Sequence, residues 1–288
     1  KNFNFPLTLD QTKVIKEINN DLSSDYKMFR ILQGDVGSGK TIVSFVGVAN
    51  VIRSNYQVAM MAPTEILAKQ HYDLAKKIFR SSDLRIEFLT GKTKPKDRKI
   101  IQNDLLNGKI NFLIGTHALF QKNIIFKKLG LAIIDEQHKF GVRQRIELSN
   151  KGGKECDILL MSATPIPRTL VMAVYGDMDV SRLVEKPMNR KEIITLSKPE
   201  EKIDEILLFI KKQIEKGNQV FWVCPLIEES KKLDYSAAVK KFNFLSKKFF
   251  DKVGLIHGGL EKNKKDEVLL QFLNKKIDIL VSTTVIEV

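Results

Sequence analysis

The stretch Phe29-Arg-Ile-Leu-Gln-Gly34-Asp-Val-Gly-Ser-Gly-Lys40-Thr41 decides the fold. Phe29–Gln33 is a short apolar run of the strand type. Gly34 to Thr41 fits G-x-x-x-x-G-K-[ST], and an amphipathic run of the helix type continues from Thr41 to Arg53. Strand, glycine-rich turn and helix, in that order, make a phosphate cradle. The glycines let the backbone bend so that successive N–H groups converge on phosphate oxygens. The helix N-terminus adds partial positive charge. In such a loop Gly34, Asp35, Val36, Gly37, Ser38 and Gly39 surround the phosphates, Lys40 reaches the β- and γ-phosphates, and Thr41 faces Mg²⁺. A glycine-rich turn with a chance lysine would have the same composition; the strand before it and the helix after it argue against chance.

Outward from this unit, candidate strands follow at Val58–Ala62, Arg85–Leu89, Phe112–Gly115, Ala132–Asp135 and Ile158–Met161. Helical patterns at Gln11–Leu22, Glu65–Arg80 and Lys96–Asn107 alternate with them. Such alternation implies βαβ units and a parallel sheet. The rhythm breaks near Gly176-Asp-Met-Asp-Val180, and a polar stretch through Glu185-Lys-Pro-Met-Asn-Arg190 reads as a linker. Alternation resumes with a strand Glu192–Leu196, a helix from Pro199 to Lys216 and a strand Val220–Cys224. A helix Tyr235–Phe250, a strand Val253–Ile256, a helix Lys262–Leu273 and a strand Ile277–Ser282 complete it. The expectation is an α/β protein of two tandem lobes with parallel sheets: residues 1–178, a linker over 179–191, and a second lobe over 192–288. The second lobe is expected to be incomplete, because the sequence stops just after a strand, at Ser282-Thr-Thr-Val-Ile-Glu-Val288. With no opening Met, a piece of a longer chain is expected.

A chain of 288 residues is long enough for two domains. No apolar run approaches the roughly 20 residues a membrane span needs, and no signal-peptide core opens the sequence. No membrane partner and a cytoplasmic location are therefore expected. Cys156 and Cys224, the two cysteines, are too few for a disulfide framework and read as small packing residues. The formal charge of +14 points to a polyanionic partner. Lysine pairs on solvated faces (Lys76-Lys77, Lys127-Lys128, Lys211-Lys212, Lys247-Lys248) account for the same charge without one, so charge alone does not assign nucleic acid.

Leu131-Ala-Ile-Ile-Asp135-Glu136 is an apolar strand ending in two carboxylates. In a parallel sheet, ligands gather at the carboxyl ends of strands, where the glycine loop also lies. Asp135 can hold Mg²⁺, and Glu136 can orient or deprotonate an attacking water. On its own an Asp-Glu pair after a strand is commonly a solvated turn; in the same lobe as a phosphate loop it completes an ATP-hydrolysing site with Lys40, Asp135 and Glu136 as its catalytic residues. The four histidines, His71, His117, His138 and His257, show no zinc-ligand spacing, and a lone histidine ordinarily reads as a satisfied structural residue.

Further segments carry a resemblance. Asp135-Glu-Gln-His138, Ser162-Ala-Thr164, Ala62-Pro-Thr-Glu-Ile-Leu67, Gly115-Thr-His117 and Val281-Ser-Thr-Thr-Val-Ile-Glu287 resemble, in order and spacing, the motifs of the superfamily 2 helicases across nearly the whole chain. That resemblance implies two tandem RecA-like P-loop NTPase lobes using ATP and Mg²⁺. It implies an adenine-reading role for Gln11 and a coupling role for His138, Ser162, Ala163 and Thr164. It also implies contacts to the strand from Pro63, Thr64, Thr116, His117, Thr283 and Thr284. Small hydroxyls and backbone N–H groups at strand ends can grip phosphates without reading bases, which suits a motor that steps along any sequence.

Asp135-Glu-Gln-His-Lys-Phe-Gly-Val-Arg-Gln-Arg145, Met161-Ser-Ala-Thr-Pro-Ile-Pro-Arg-Thr-Leu170 and Trp222-Val-Cys-Pro-Leu-Ile-Glu-Glu-Ser230 look like the RecG family. This implies a monomeric translocase on branched DNA, reversing forks and processing Holliday junctions in recombinational repair. The family's N-terminal wedge, its last helicase motif and its C-terminal hook have no counterpart in these residues, and Arg168 is not expected to replace that motif's arginine. A duplex translocase of the transcription-repair coupling type shares the Thr-Pro-Ile-Pro-Arg-Thr segment. An RNA helicase would ordinarily carry Ala-Asp where Gln137-His138 stand.

Overall fold

The computed structural model describes residues 6–136, 156–164, 178–185, 193–224 and 231–283, without the side chains of 120, 231–236, 262, 263 and 266. The chain divides into two compact units, Lys1–Glu192 and Ile193–Val288.

In the first unit the described elements run α1 (Leu9–Leu22), β1 (Phe29–Gly34), α2 (Lys40–Arg53), β2 (Gln57–Met61), α3 (Glu65–Ile78), β3 (Ile86–Leu89), α4 (Pro95–Leu106), β4 (Phe112–Gly115), β5 (Leu129–Ile134), β6 (Asp157–Ser162) and β7 (Asp179–Leu183). They build one parallel sheet in the order β3-β4-β2-β5-β6-β1-β7. The strands are apolar at nearly every position because both faces are covered. Alternate residues supply two cores. Ile31, Ala59, Met61, Leu113, Ala132, Ile134 and Leu160 face Ile101 and Leu105 of α4. Leu32, Val58, Met60, Phe112, Ile133 and Met161 face Val14 and Ile18 of α1, Val43 and Val48 of α2, and Ala75 of α3.

The helices begin where local chemistry lets them. Thr8 caps α1 in a reciprocal box, its hydroxyl accepting from Gln11 N–H while the Gln11 side chain accepts from Thr8 N–H, both at 3.1 Å. Thr64 caps α3 by accepting from Leu67 N–H at 3.3 Å. Pro95 opens α4 at a position where a missing N–H costs nothing.

One glycine is fixed by packing rather than by its torsions. A Cβ on Gly115, at the end of β4, would lie 1.9 Å from the Leu89 carbonyl oxygen, which accepts from Thr116 N–H at 3.2 Å. That oxygen cannot retreat without loosening the edge of the sheet. Gly115→Ala is expected to cost about 3 kcal/mol, the upper part of the overpacking range, read as a lowered urea midpoint. A loss below about 0.5 kcal/mol, the size of an ordinary surface change, would contradict the contact.

Two expectations need correction. The linker expected over 179–191 opens with a strand: Asp179–Leu183 is β7, paired in parallel with β1. Buried Arg30 on β1 ties it down. Its guanidinium donates to Ser181 Oγ at 2.8 Å and to Asp21 at 2.6 Å, with Glu17 and Asp179 within 3.7 Å. Charge-assisted bonds to a buried guanidinium are the strong kind, so a short polar sequence is held as a strand by its neighbours. Conversely, the strand expected at Glu192–Leu196 is not formed at 193–196. Ile193, Ile194 and Leu196 are exposed and no described strand pairs with them. A β-prone sequence with no ladder to join gains little by extending.

The second unit contains α5 (Ile203–Glu215), β8 (Val220–Val223), α6 (Lys231–Phe249), β9 (Val253–Ile256), α7 (Lys262–Leu273) and β10 (Ile279–Ser282). Its described strands form a parallel sheet in the order β8-β10-β9. Leu207 and Ile210 of α5 and Ala238 and Leu245 of α6 cover one face against Val253, Ile279 and Val281. Phe272 of α7 covers the other, against Ile256 and Leu280. No described helix is long and apolar enough to cross a membrane.

Candidate active site

All strands of the first sheet are parallel, so their carboxyl ends share one rim. β1 delivers the glycine loop there, β5 delivers Asp135-Glu136, β6 delivers Ser162-Ala163-Thr164, β2 delivers Pro63-Thr64 and β4 delivers Thr116-His117. Because β6 lies between β5 and β1, the Ser162 turn lies between the carboxylates and the glycine loop.

In the loop, Gly37 and Gly39 take left-handed backbone angles, φ 78° and 91°. Gly39 is the residue before α2, and no described side chain caps that helix, so its first N–H groups can serve a ligand. A Cβ on Gly39 would meet Gln11 Nε2 at 2.4 Å. Gln11 itself is buried. Its amide donates to the Ser38 carbonyl at 2.8 Å and accepts from Thr8 N–H, so in this structure it clasps the loop to α1. Asp35 shapes the turn, accepting from Val36 N–H at 2.8 Å through its side chain and from Ser38 N–H at 3.0 Å through its carbonyl. The Ser38 hydroxyl is buried with no hydrogen-bond partner among the described residues.

Lys40 folds back over the loop, donating to the Gly34 carbonyl at 2.5 Å and the Asp35 carbonyl at 3.2 Å. Burial pushes its ammonium below the usual lysine range, and the charges of Glu136, Asp135 and Asp35 pull it back up. The two carboxylates and the loop lysine stand on one rim, with β6 between their strands β5 and β1.

Asp135 is buried and held at three points. Its N–H donates to the Met61 carbonyl at 2.8 Å, continuing the β5–β2 ladder. Its Oδ1 accepts from Glu136 N–H at 3.0 Å, and its Oδ2 lies 2.7 Å from His71 Nε2. Glu136 turns the chain with a left-handed φ of 47°, unusual for a residue with a side chain and of a kind that clusters at functional sites. A buried carboxylate beside a phosphate loop, with the Thr41 hydroxyl at the head of α2, is a hard-oxygen donor set. It fits Mg²⁺, which takes one or two protein oxygens and completes its shell with phosphate and water. Among the described residues no group of three or more His, Cys, Asp or Glu could hold a metal ion.

The Ser162 turn is closed on itself. Ser162 Oγ accepts from Thr164 N–H at 3.2 Å and lies 3.0 Å from the Thr164 hydroxyl and 3.1 Å from its carbonyl. Ser162 is fully buried while Thr164 is exposed. His138, expected to join this turn, lies outside the described residues, as do Arg168 and the 225–230 segment. Of the expected strand contacts, Pro63 and Thr64 are half-buried and His117 is exposed. Thr116 is buried, and its hydroxyl has no partner among the described residues. In the second unit Thr283 follows β10 and is buried, and Thr284 lies outside the described residues. There His257 Nδ1 accepts from Gly259 N–H at 3.1 Å, and burial, with Lys265 nearby, lowers its pKa, so the neutral ring braces a turn.

Sequence reasoning missed His71. The available signal was its place on α3, in line with Ala68 and Ala75 on the buried face; a polar ring on an apolar stripe needs a partner.

A phosphate loop and paired carboxylates on one rim of a parallel RecA-like sheet define a lobe of the P-loop nucleoside-triphosphatase class. A family profile described as DEAD/DEAH box helicase matches residues 8–173, and one described as helicase conserved C-terminal domain matches residues 198–288. The chain belongs to the DEAD/DEAH box helicase family. It is 49% identical over 290 aligned residues to the ATP-dependent DNA helicase RecG of Bacillus subtilis (strain 168), covering 100% of this chain and 42% of that protein. It is 47% identical to the RecG of Thermotoga maritima, again over 100% of this chain and 37% of the relative. Among solved structures, RecG bound to a three-way DNA junction matches with a TM-score of 0.83 and 43% identity, over 98% of this chain and 36% of that one. The chain thus spans about two fifths of the length of the curated relatives it matches.

Proposed function

We propose that these residues are the motor of an ATP-dependent helicase acting on branched DNA in recombination and repair, reversing forks and migrating Holliday junctions as a cytoplasmic monomer. The observation that carries the reading is the rim itself: loop, Ser162 turn and carboxylates lie on three adjacent strands, β1, β6 and β5. The RecG likeness over the whole chain, and that relative's three-way DNA junction, support DNA as the partner.

The first unit supplies ATP binding and the second the remaining helicase motifs. Loop N–H groups and Lys40 bind the phosphates, exchanging two backbone carbonyls for phosphate oxygens. Gln11 reads adenine by leaving the Ser38 carbonyl. Glu136 orients and deprotonates water. Mg²⁺, held by Thr41 and Asp135, would neutralise phosphate charge. His138, Ser162, Ala163 and Thr164 couple hydrolysis to movement. Pro63, Thr64, Thr116, His117, Thr283 and Thr284 hold the strand.

ATP hydrolysis by the full-length protein, with and without forked DNA, tests this. Stimulation by forks beyond linear duplex is expected. Equal stimulation by linear duplex would favour a duplex translocase, and preferential stimulation by RNA would favour an RNA helicase; either would overturn the branched-DNA reading. Ser162→Ala with Thr164→Ala opens the self-closed turn and is expected to leave ATP hydrolysis within about threefold, an effect below 1 kcal/mol, while strand separation falls by at least tenfold more. Equal loss of both activities would remove the coupling role.

A further inference from the structure

We infer that His71 is a positioning residue for the metal-side carboxylate: α3 reaches across the rim through this ring and fixes the orientation of Asp135. The inference rests on the ATP-site reading above and adds to it a residue outside the phosphate loop, the carboxylate pair and the Ser162 turn.

His71 lies on the second turn of α3, and Asp135 follows β5, 64 residues later. Both side chains are about nine-tenths buried, 10% and 9% exposed, and Nε2 lies 2.7 Å from Oδ2. An ionised carboxylate only accepts, so the proton of this bond sits on Nε2 and the ring is the donor. Oδ1 is separately engaged by Glu136 N–H at 3.0 Å. With one donor on each oxygen, the carboxylate plane cannot turn about its own bond. A carboxylate oxygen has more than one acceptor site, so each oxygen could still serve a hydrated cation while its donor holds it in place.

A buried carboxylate without the ring would still have its Glu136 bond, yet Oδ2 would be free to rotate or to turn toward Lys40. Ligating carboxylates held by outer hydrogen bonds commonly lose about 10- to 100-fold in metal affinity when the outer partner is removed. α3 is braced at its start by the Thr64 cap and seated on the sheet through Ala68 and Ala75, so the ring is anchored by a rigid element.

The test uses the full-length protein with a fluorescent, non-hydrolysable adenosine triphosphate analogue, and titrates Mg²⁺ against analogue binding. This readout is independent of turnover. His71→Leu and His71→Asn remove the donor; the asparagine amide is too short to reach Oδ2. In whichever of them folds, half-saturating Mg²⁺ is expected to rise about tenfold or more, with binding of the metal-free analogue unchanged. His71→Gln carries an amide nitrogen near the place of Nε2 and is expected to restore most of the Mg²⁺ response. An unchanged Mg²⁺ requirement in the folded Leu or Asn variant would overturn the inference, as would a Gln variant as impaired as they are. Should the wild-type protein bind the analogue with no Mg²⁺ response at all, the ATP-site reading itself fails; a normal wild-type response beside a normal His71 variant sinks the His71 role alone.

Discussion

Lys40→Ala is expected to weaken nucleotide binding by on the order of a hundredfold or more and to take ATP hydrolysis to background. The ammonium is the one side-chain cation in the loop, and burial already makes its charge costly. Polyphosphate relieves that cost. Two charge-assisted bonds to phosphate are together worth about 3 kcal/mol or more, which is the hundredfold. In the structure the same nitrogen holds the Gly34 and Asp35 carbonyls, so the alanine variant also loses an internal brace of the loop. A thermal melt beside the binding titration separates the two effects: an unchanged melt with lost binding assigns the loss to phosphate contact. Wild-type affinity in Lys40→Ala would refute the phosphate role of the loop.

Glu136→Gln is expected to do the opposite to binding: affinity is retained within a few-fold, while hydrolysis falls by about 10²- to 10⁴-fold, the usual worth of a positioned general base. The amide is nearly the same shape, and the bond from the residue 136 N–H to Asp135 Oδ1 comes from the backbone and survives. The left-handed turn at 136 is no harder for glutamine than for glutamate. There is a further signature. Glu136 is the first of the charges that hold the Lys40 ammonium up against burial. Removing it lets the Lys40 pKa fall further, so in the variant nucleotide affinity should decline at a lower pH than in the wild type. Rapid phosphate release by Glu136→Gln, or identical pH profiles for binding, would contradict the assignment.

Much of the first unit was legible in the sequence because its signals are local. Gly34 to Thr41 needs its glycines for backbone reasons, and Asp135-Glu136 ends an apolar run that can only be a buried strand. Elements whose existence depends on distant partners were harder to read. β7 has an unremarkable sequence and is held by Arg30 on β1, whose partner Ser181 lies 151 positions further along the chain. The reverse holds at Glu192–Leu196: its β-prone residues read as a strand, yet 193–196 have no described strand to pair with. Gln11 shows a third kind of gap. Its place before the loop was evident, whereas its clasp on the Ser38 carbonyl depends on how closely α1 approaches Gly39. The His71–Asp135 contact required knowing that β2 and β5 are adjacent, which sequence order does not say.

The two cysteines have a practical consequence. Both are buried and unpaired. Burial pushes the Cys156 thiol to about 12 and raises that of Cys224. A thiol that neither meets solvent nor ionises is nearly inert toward maleimides and related electrophiles. Within these 288 residues, therefore, neither native thiol competes with an installed cysteine for a label. A cysteine installed at a bare surface position such as Tyr26, at the rim opposite the nucleotide loop, would carry one dye, and a second installed cysteine its pair, without first stripping Cys156 and Cys224 from the cores.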